Sequence, residues 1–513
     1  MRCHIFQSRL FVGCFLVGLL GWLGVSDVTA GLFKRRLCGR PVLVCTEPCP
    51  SPRASLRVRK NINHFTEREL ASLKRGVATM KALSVDNARS WRFQANMHRT
   101  VDPVPGNALE LWNKCEHGTI YFFAWHRGYV YYLERILREM SGDPELTLPY
   151  WDWQTDPTLP VAFRNPIDPG GINPLYDPTR IINDGSALNP INVVDDTLAV
   201  LALIRFTDVF PMDSFTRNFE RSPHGAVHNQ TGGNMTAFET AAQDPIFWLH
   251  HCNIDRNLDR WLNQGAGRET PSDTAFLDKS YFFIDEVGRQ INGKVRDVLS
   301  SARLGYRYED TPNPRPTVAT ILRGQATERP NLVRAAATFK EENPPVAKKP
   351  LGLTPTQATL HVAPRNMATW KAMAIPSNST GKVFLQISGI SAKEAPAFVY
   401  GIYLNLPSGA LSAEQKRKYY AGTVDFFGKT ARDKKDHAHD ADGTSFNETF
   451  DVTALIAVLQ KEKLWQPEAL SVTFQALTPI ASKGNEAALQ QRLEASAKKA
   501  EVTYQHVELL FVP

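Results

Sequence analysis

Histidines at helical spacing constrain this chain more than any other feature. In PHGAVHN, His224 and His228 stand at i and i+4 and so share one face of a helix. In DPIFWLHHCNIDRNLDRW, Phe247, His251 and Asp255 fall at i, i+4 and i+8, so a second helix presents an imidazole beside an aromatic ring and a carboxylate. Three imidazoles converge on one ion in such an arrangement. Neutral imidazole suits zinc, copper, iron or nickel, and a set without carboxylate or thiolate leans toward copper or zinc. The spacing does not choose between them.

The preceding half repeats the theme. SWRFQANMHR is a helical run with His98 near its end, CEH places His117 beside Cys115, and GTIYFFAWHRGYVYYLERILREM holds His126. The aromatics of that last run go all the way round, and a helix apolar on every side is buried. An unpaired imidazole there is costly, and metal ligation is one way of satisfying it. A loop rich in Pro and Gly, Asp156 to Pro190, separates the two halves. Two sets of three, each from a helix pair, imply two adjacent metals. The expected fold is a mainly α catalytic domain, a four-helix bundle holding the metal pair, followed by a β-rich C-terminal domain, a sandwich or barrel.

Residues 1–30 read as a secretory signal, with Arg2 and Arg9 ahead of an apolar run and a small-residue exit at Ala30. Export to an extracellular, periplasmic or luminal compartment is therefore expected, with no membrane contact after signal removal. The formal charge of +7 falls by one when Arg2, Arg9 and Asp27 leave, and the remaining basic residues are scattered, which argues against nucleic acid. A Cys- and Pro-rich lead spans 31–60; a disulfide among Cys38, Cys45 and Cys49 leaves one thiol over. The catalytic domain is expected over 61–312. Within it, TERELASLKRGVATMKAL is an amphipathic helix with Thr66 and Glu69 as a capping box. Residues 313–353, Pro-rich, charged and aperiodic, read as a linker. Residues 354–513 alternate as strands, with helices inserted at about 453 to 465 and 485 to 500. His437 and His439 read as a solvated charged loop.

Together MH, CEH, FFAWHR, LPYWDW, PHGAVHN and DPIFWLHHCNIDR resemble the central domain of the tyrosinase, catechol oxidase (polyphenol oxidase) and hemocyanin group, the coupled binuclear, type 3 copper proteins, over residues 60 to 310. The resemblance implies two copper ions, the first on His98, His117 and His126 and the second on His224, His228 and His251. His250 matches a neighbour that is not a ligand. Asp255 matches a carboxylate that supports the site without binding metal, and Cys115 a cysteine joined by a thioether to His117.

The resemblance also implies the chemistry. Members oxidise catechols to o-quinones with O2, and some first hydroxylate monophenols. Phe238 lies where many family oxidases place an aromatic gate over the second copper, and Glu220 matches a glutamate that holds a water and assists phenol deprotonation. Gly225 stands where members proficient with monophenols often carry Asn, so catechol oxidation with at most weak monophenol hydroxylation is expected. O2 and small phenols are the expected partners. The segments around YAGTVDFF resemble the C-terminal domain of plant-type polyphenol oxidases, an intramolecular inhibitor that keeps the enzyme latent until it is displaced or cut. The alternative is a reversible O2 carrier of the hemocyanin type, although the chain has one such domain and no internal repeat.

Overall fold

The computed structural model describes residues 56–207, 214–311, 338–341, 348–361, 381–430, 445–466 and 470–512. The expected signal, Cys38, Cys45, Cys49, His437, His439 and most of the expected linker lie outside them. The helices that concern the site are α1 (Glu67–Ala82), α2 (Trp91–His98), α3 (Phe122–Ser141), α4 (Asp196–Ala202), α5 (Phe215–Phe219), α6 (Ala226–Thr231) and α7 (Pro245–Asn263).

Local sequence accounts for where these helices start. The Thr66 hydroxyl accepts from the Glu69 N–H at 3.2 Å, while the Glu69 carboxylate accepts from the Thr66 N–H at 2.8 Å, the capping box expected at the head of α1. Ser90 caps α2 through the Phe93 N–H at 3.1 Å. Asp244 caps α7 ahead of Pro245, and the Arg180 guanidinium grips both its oxygens, at 2.8 and 2.6 Å, with neither side chain exposed. The aromatic face of α3 is buried as its sequence requires; Phe122, Phe123, Trp125 and Tyr129 are all in the core. α1 packs on it so closely that a Cβ at Gly76 would lie 3.1 Å from Leu137.

A short strand, β1 (Arg57–Arg59), pairs in parallel with β2 (Tyr306–Tyr308), joining the two ends of the helical core. The last residues of the expected N-terminal lead are thus part of that core. In the C-terminal half, β3 (Thr338–Glu341), β4 (Thr356–His361), β5 (Lys382–Ile390), β6 (Val399–Leu404), β7 (Tyr420–Val424), β8 (Phe446–Asp451), β9 (Leu470–Leu477) and β10 (His506–Val512) form one antiparallel sheet in the order β7-β6-β9-β4-β3-β10-β5-β8. Its edges curl together, the backbone of Gly422 lying so near the Phe450 ring that a Cβ would come within 2.6 Å. Helices α8 (Thr453–Lys461) and α9 (Glu486–Ala500) fall where periodicity puts them.

Two strands depart from the sequence reading. β3 lies inside the expected 313–353 linker, as does Lys349–Pro350, which pairs with Thr503–Tyr504. Neither carries a strand-length apolar alternation; their partners on β10, β4 and Thr503–Tyr504 recruit them through backbone hydrogen bonds. β6 is buried along its whole length because it is covered on both faces: Val399, with Leu477 of β9, packs on Ile191 and Ala226 of the helical part. No helix among the described residues is long and apolar enough to cross a membrane.

Candidate metal centre

Seven buried or half-buried imidazoles meet in the helical core, in two groups whose candidate ligand atoms lie within 4.8 Å of one another: His98, His117 and His126, then His224, His228, His250 and His251. α2, α3, α6 and α7 supply most of them, which is the four-helix arrangement. His117 is the exception. It sits in the turn-rich segment before α3 and not on a helix, so the sequence reading of two helix pairs is corrected there. His224 precedes α6 in a helical segment interrupted at Ser222, whose φ and ψ are −151° and 127°.

Four of these rings are held in the same way. Nδ1 of His98, His126, His224 and His228 lies 3.2, 2.8, 2.8 and 2.9 Å from the carbonyl oxygens of Phe238, Phe122, Glu220 and Met235 respectively. A carbonyl can only accept, so Nδ1 carries the hydrogen and Nε2 keeps its lone pair. All four Nε2 atoms are buried without a hydrogen-bond partner, as are both ring nitrogens of His117, His250 and His251. Burial, reinforced by the neighbouring imidazoles, pushes the pKa of His224 down to about 3 and that of His98, His117, His228 and His251 well below the ordinary value; burial alone takes His126 to about 3. Neutral rings with inward lone pairs and no protein partner are the donor set of a metal site. The two groups adjoin: the His251 ring stacks on that of His126 at 4.5 Å. His250 joins the second group on geometry, with its ring also tilted on Trp153 at 4.8 Å.

The Asp255 carboxylate is hydrogen-bonded to none of these imidazoles. It accepts from the Tyr306 and Tyr308 hydroxyls, each at 2.6 Å, from Arg59 at 3.3 Å and from Arg127. Burial raises its pKa, but Arg127, Arg59 and the two phenols outweigh burial and hold it below the ordinary carboxylate range. Asp255 therefore fixes α7, one turn past His251, to β2 and α3.

Phe238 is placed differently from the sequence reading, which set it over the second group. Its ring packs edge-on against His98 at 4.9 Å and His117 at 4.7 Å, both of the first group, because its own carbonyl is the acceptor for His98. Glu220 accepts from the Gly118 N–H at 2.6 Å, and burial raises its pKa to about 8. Cys115 and Cys252 are free thiols, both with pKa raised by burial.

Sequence reasoning missed the residue that dominates the site. Phe427, just past β7, leaves the C-terminal core and joins the helical one. Its ring lies flat on His228, with centroids 3.6 Å apart and planes 10° apart, and edge-on to His224 at 5.4 Å and Phe238 at 5.2 Å. The backbone around it is tied down by Asn229, which follows His228: its amide accepts from the Phe426 N–H at 3.1 Å and donates to the Pro396 carbonyl at 3.0 Å. Asp425 occupies the space over Gly225, where a Cβ would overlap its carboxylate and lie 2.6 Å from its Cγ. YAGTVDFF was the only sequence signal for this contact, and strand alternation cannot say which ring leaves the sheet.

The common central domain of tyrosinase matches residues 88–194 and 184–264, the polyphenol oxidase middle domain matches 271–319, and a domain of unknown function matches 347–487. An aurone synthase of Antirrhinum majus is 30% identical over 376 residues, which is 60% of this chain and 65% of that protein's length. A tyrosinase of Hahella sp. is 26% identical over 461 residues, 81% of this chain and 94% of the relative. The fold is that of a latent apple tyrosinase, with a TM-score of 0.56 over 90% of this chain and 98% of that one at 21% identity. The chain carries the common central domain of tyrosinase over residues 88–264, and every histidine of the double group lies inside that match, in a family whose centre takes two copper ions.

Proposed function

We propose that this protein oxidises catechols to o-quinones with O2, and that its C-terminal half keeps it latent until displaced or cut. The observation that carries the reading is a phenyl ring stacked on an imidazole of a double histidine centre, from a segment outside the helical core. His98, His117 and His126 hold the first copper and His224, His228 and His251 the second. Bound copper supplies the electron transfer between O2 and the phenol.

The protein does the rest. Carbonyl anchors on Nδ1 fix the rings so that ligation needs little reorganisation. A catechol ring takes the place of Phe427, against His228 and beside Phe238. Glu220 holds a water there and receives the phenolic proton; uncovering the site brings in water and lifts the burial penalty that raises its pKa to about 8. Gly225 offers no side chain to help orient that water, which favours catechols over monophenols. Oxygen uptake by the opened, copper-loaded protein is expected to be at least about tenfold faster on 4-methylcatechol than on its matching monophenol; equal rates would sink the preference.

Cys115 is the thioether partner of His117. Cys115 is half-buried and desolvation raises its pKa, so it does not compete as a thiolate ligand. Joining its sulfur to a ring carbon removes the thiol hydrogen and one ring hydrogen, with two electrons passing to O2. An intact mass short of two hydrogens, abolished by Cys115→Ser, is the expected record; full mass after turnover would exclude the bond. The N-terminal leader exports the chain.

A further inference from the structure

The contacts that tie the C-terminal half to the segment leading into His224 suggest what the open site selects. Arg221 follows Glu220, three residues before His224. Its guanidinium donates to the Glu448 carboxylate and the Thr449 carbonyl, both at 3.3 Å, lies 4.7 Å from the centre of the Phe450 ring, and donates to Asn218 at 2.6 Å. Glu448 also accepts from Lys429 at 2.8 Å, and Lys429 pairs with Asp425, the residue over Gly225. The C-terminal half therefore sets a ring on His228 and a carboxylate on Arg221, and Lys429, two residues past Phe427, pairs with that carboxylate.

Charge makes the match specific. Asp425, Glu448 and Lys429 together carry one net negative charge, and they face Arg221 and Arg217. Burial opposes ionisation of Glu448, yet Lys429, Arg221 and Arg217 hold its pKa down at about 2. When the C-terminal half leaves, Glu448, Thr449 and Phe450 leave with it. Arg221 then keeps its bond to Asn218, an uncharged amide. A guanidinium that loses its carboxylate, three residues before His224, is a receptor for another carboxylate.

Resting on the oxidase reading, we propose that Arg221 selects catechols with an anionic tail: the substrate ring takes the place of Phe427, and its carboxylate takes the place of Glu448. Arg221 acts as a specificity residue and touches no reacting atom.

The test uses the full chain with Phe427→Ala, which clears the ring pocket, and Glu448→Ala, which removes the carboxylate from Arg221 and leaves its place open. Dihydrocaffeate, 4-methylcatechol and dopamine offer one ring with an anionic, a neutral and a cationic tail. Adding Arg221→Gln is expected to lower the ratio of kcat/KM for dihydrocaffeate over 4-methylcatechol about tenfold, the scale of one charge-assisted hydrogen bond. Arg221→Glu is expected to turn the preference toward dopamine. A purely structural role would slow all three substrates in parallel, and an unchanged ratio overturns the proposal. Calorimetric binding of the same compounds separates the two ideas. If none is oxidised, the oxidase reading fails, and the binding ratio, shifted or unshifted by Arg221→Gln, still decides the role of Arg221.

Discussion

Replacing Phe427 by alanine is expected to raise catechol oxidation by the uncut protein about a hundredfold. The ring is buried, stacked on His228 at 3.6 Å, and set against Phe238 and His224, so substrate cannot reach the site while it stays. Truncating a buried phenylalanine costs about 3–5 kcal/mol, and each 1.4 kcal/mol is tenfold in an equilibrium. Some of that loss returns as neighbours settle, which leaves about two decades. Gly225→Ala reaches the same end from the other side: its methyl group would collide with Asp425 and push the segment 425–427 off the site. Oxygen uptake at fixed copper content measures both. Unchanged uptake in Phe427→Ala would mean that the ring is not the barrier.

The second large effect is on stability. Arg59, Arg127 and Arg138 face Glu134, Asp255 and Asp259, three cations and three carboxylates joined in one buried network. Asp255→Ala leaves that network one positive charge in excess and strips the Tyr306 and Tyr308 hydroxyls of their acceptor. Breaking a buried pair from one side costs about 3–5 kcal/mol. Because Asp255 sits one turn past His251, copper should also be bound less tightly at the second group. Asp255→Asn, which keeps the shape and one acceptor, is expected to cost less, about 1–3 kcal/mol. Denaturant midpoints give the comparison; an Asp255→Ala protein within about 0.5 kcal/mol of the parent would contradict it.

What the sequence made legible follows from the range of each interaction. His224 lies in the helical segment that runs into α6 and His228 in α6 itself, and His251 shares α7 with Phe247 and Asp255, so the i, i+4 period alone announced them. The Thr66 and Glu69 box and helices Thr453–Lys461 and Glu486–Ala500 were equally local. His117 was counted in the first set but assigned to a helix pair, since a loop has no period to mark it. Phe238 was recognised but put over the wrong group, because the carbonyl bond that orients it runs to a residue 140 positions away. Arg59 and Phe427 reach the site from opposite ends of the chain, and Thr338–Glu341 is a strand by virtue of its neighbours. None of these leaves a trace in local pattern.

Oxygen uptake on 4-methylcatechol by the copper-loaded chain, before and after a cut confined to residues 312–337, tests the account most directly. A low rate before the cut and a strong rise after it is the predicted result. Full activity before the cut would contradict latency, and no uptake in either state, with two copper ions bound, would contradict the oxidase and favour a reversible oxygen carrier.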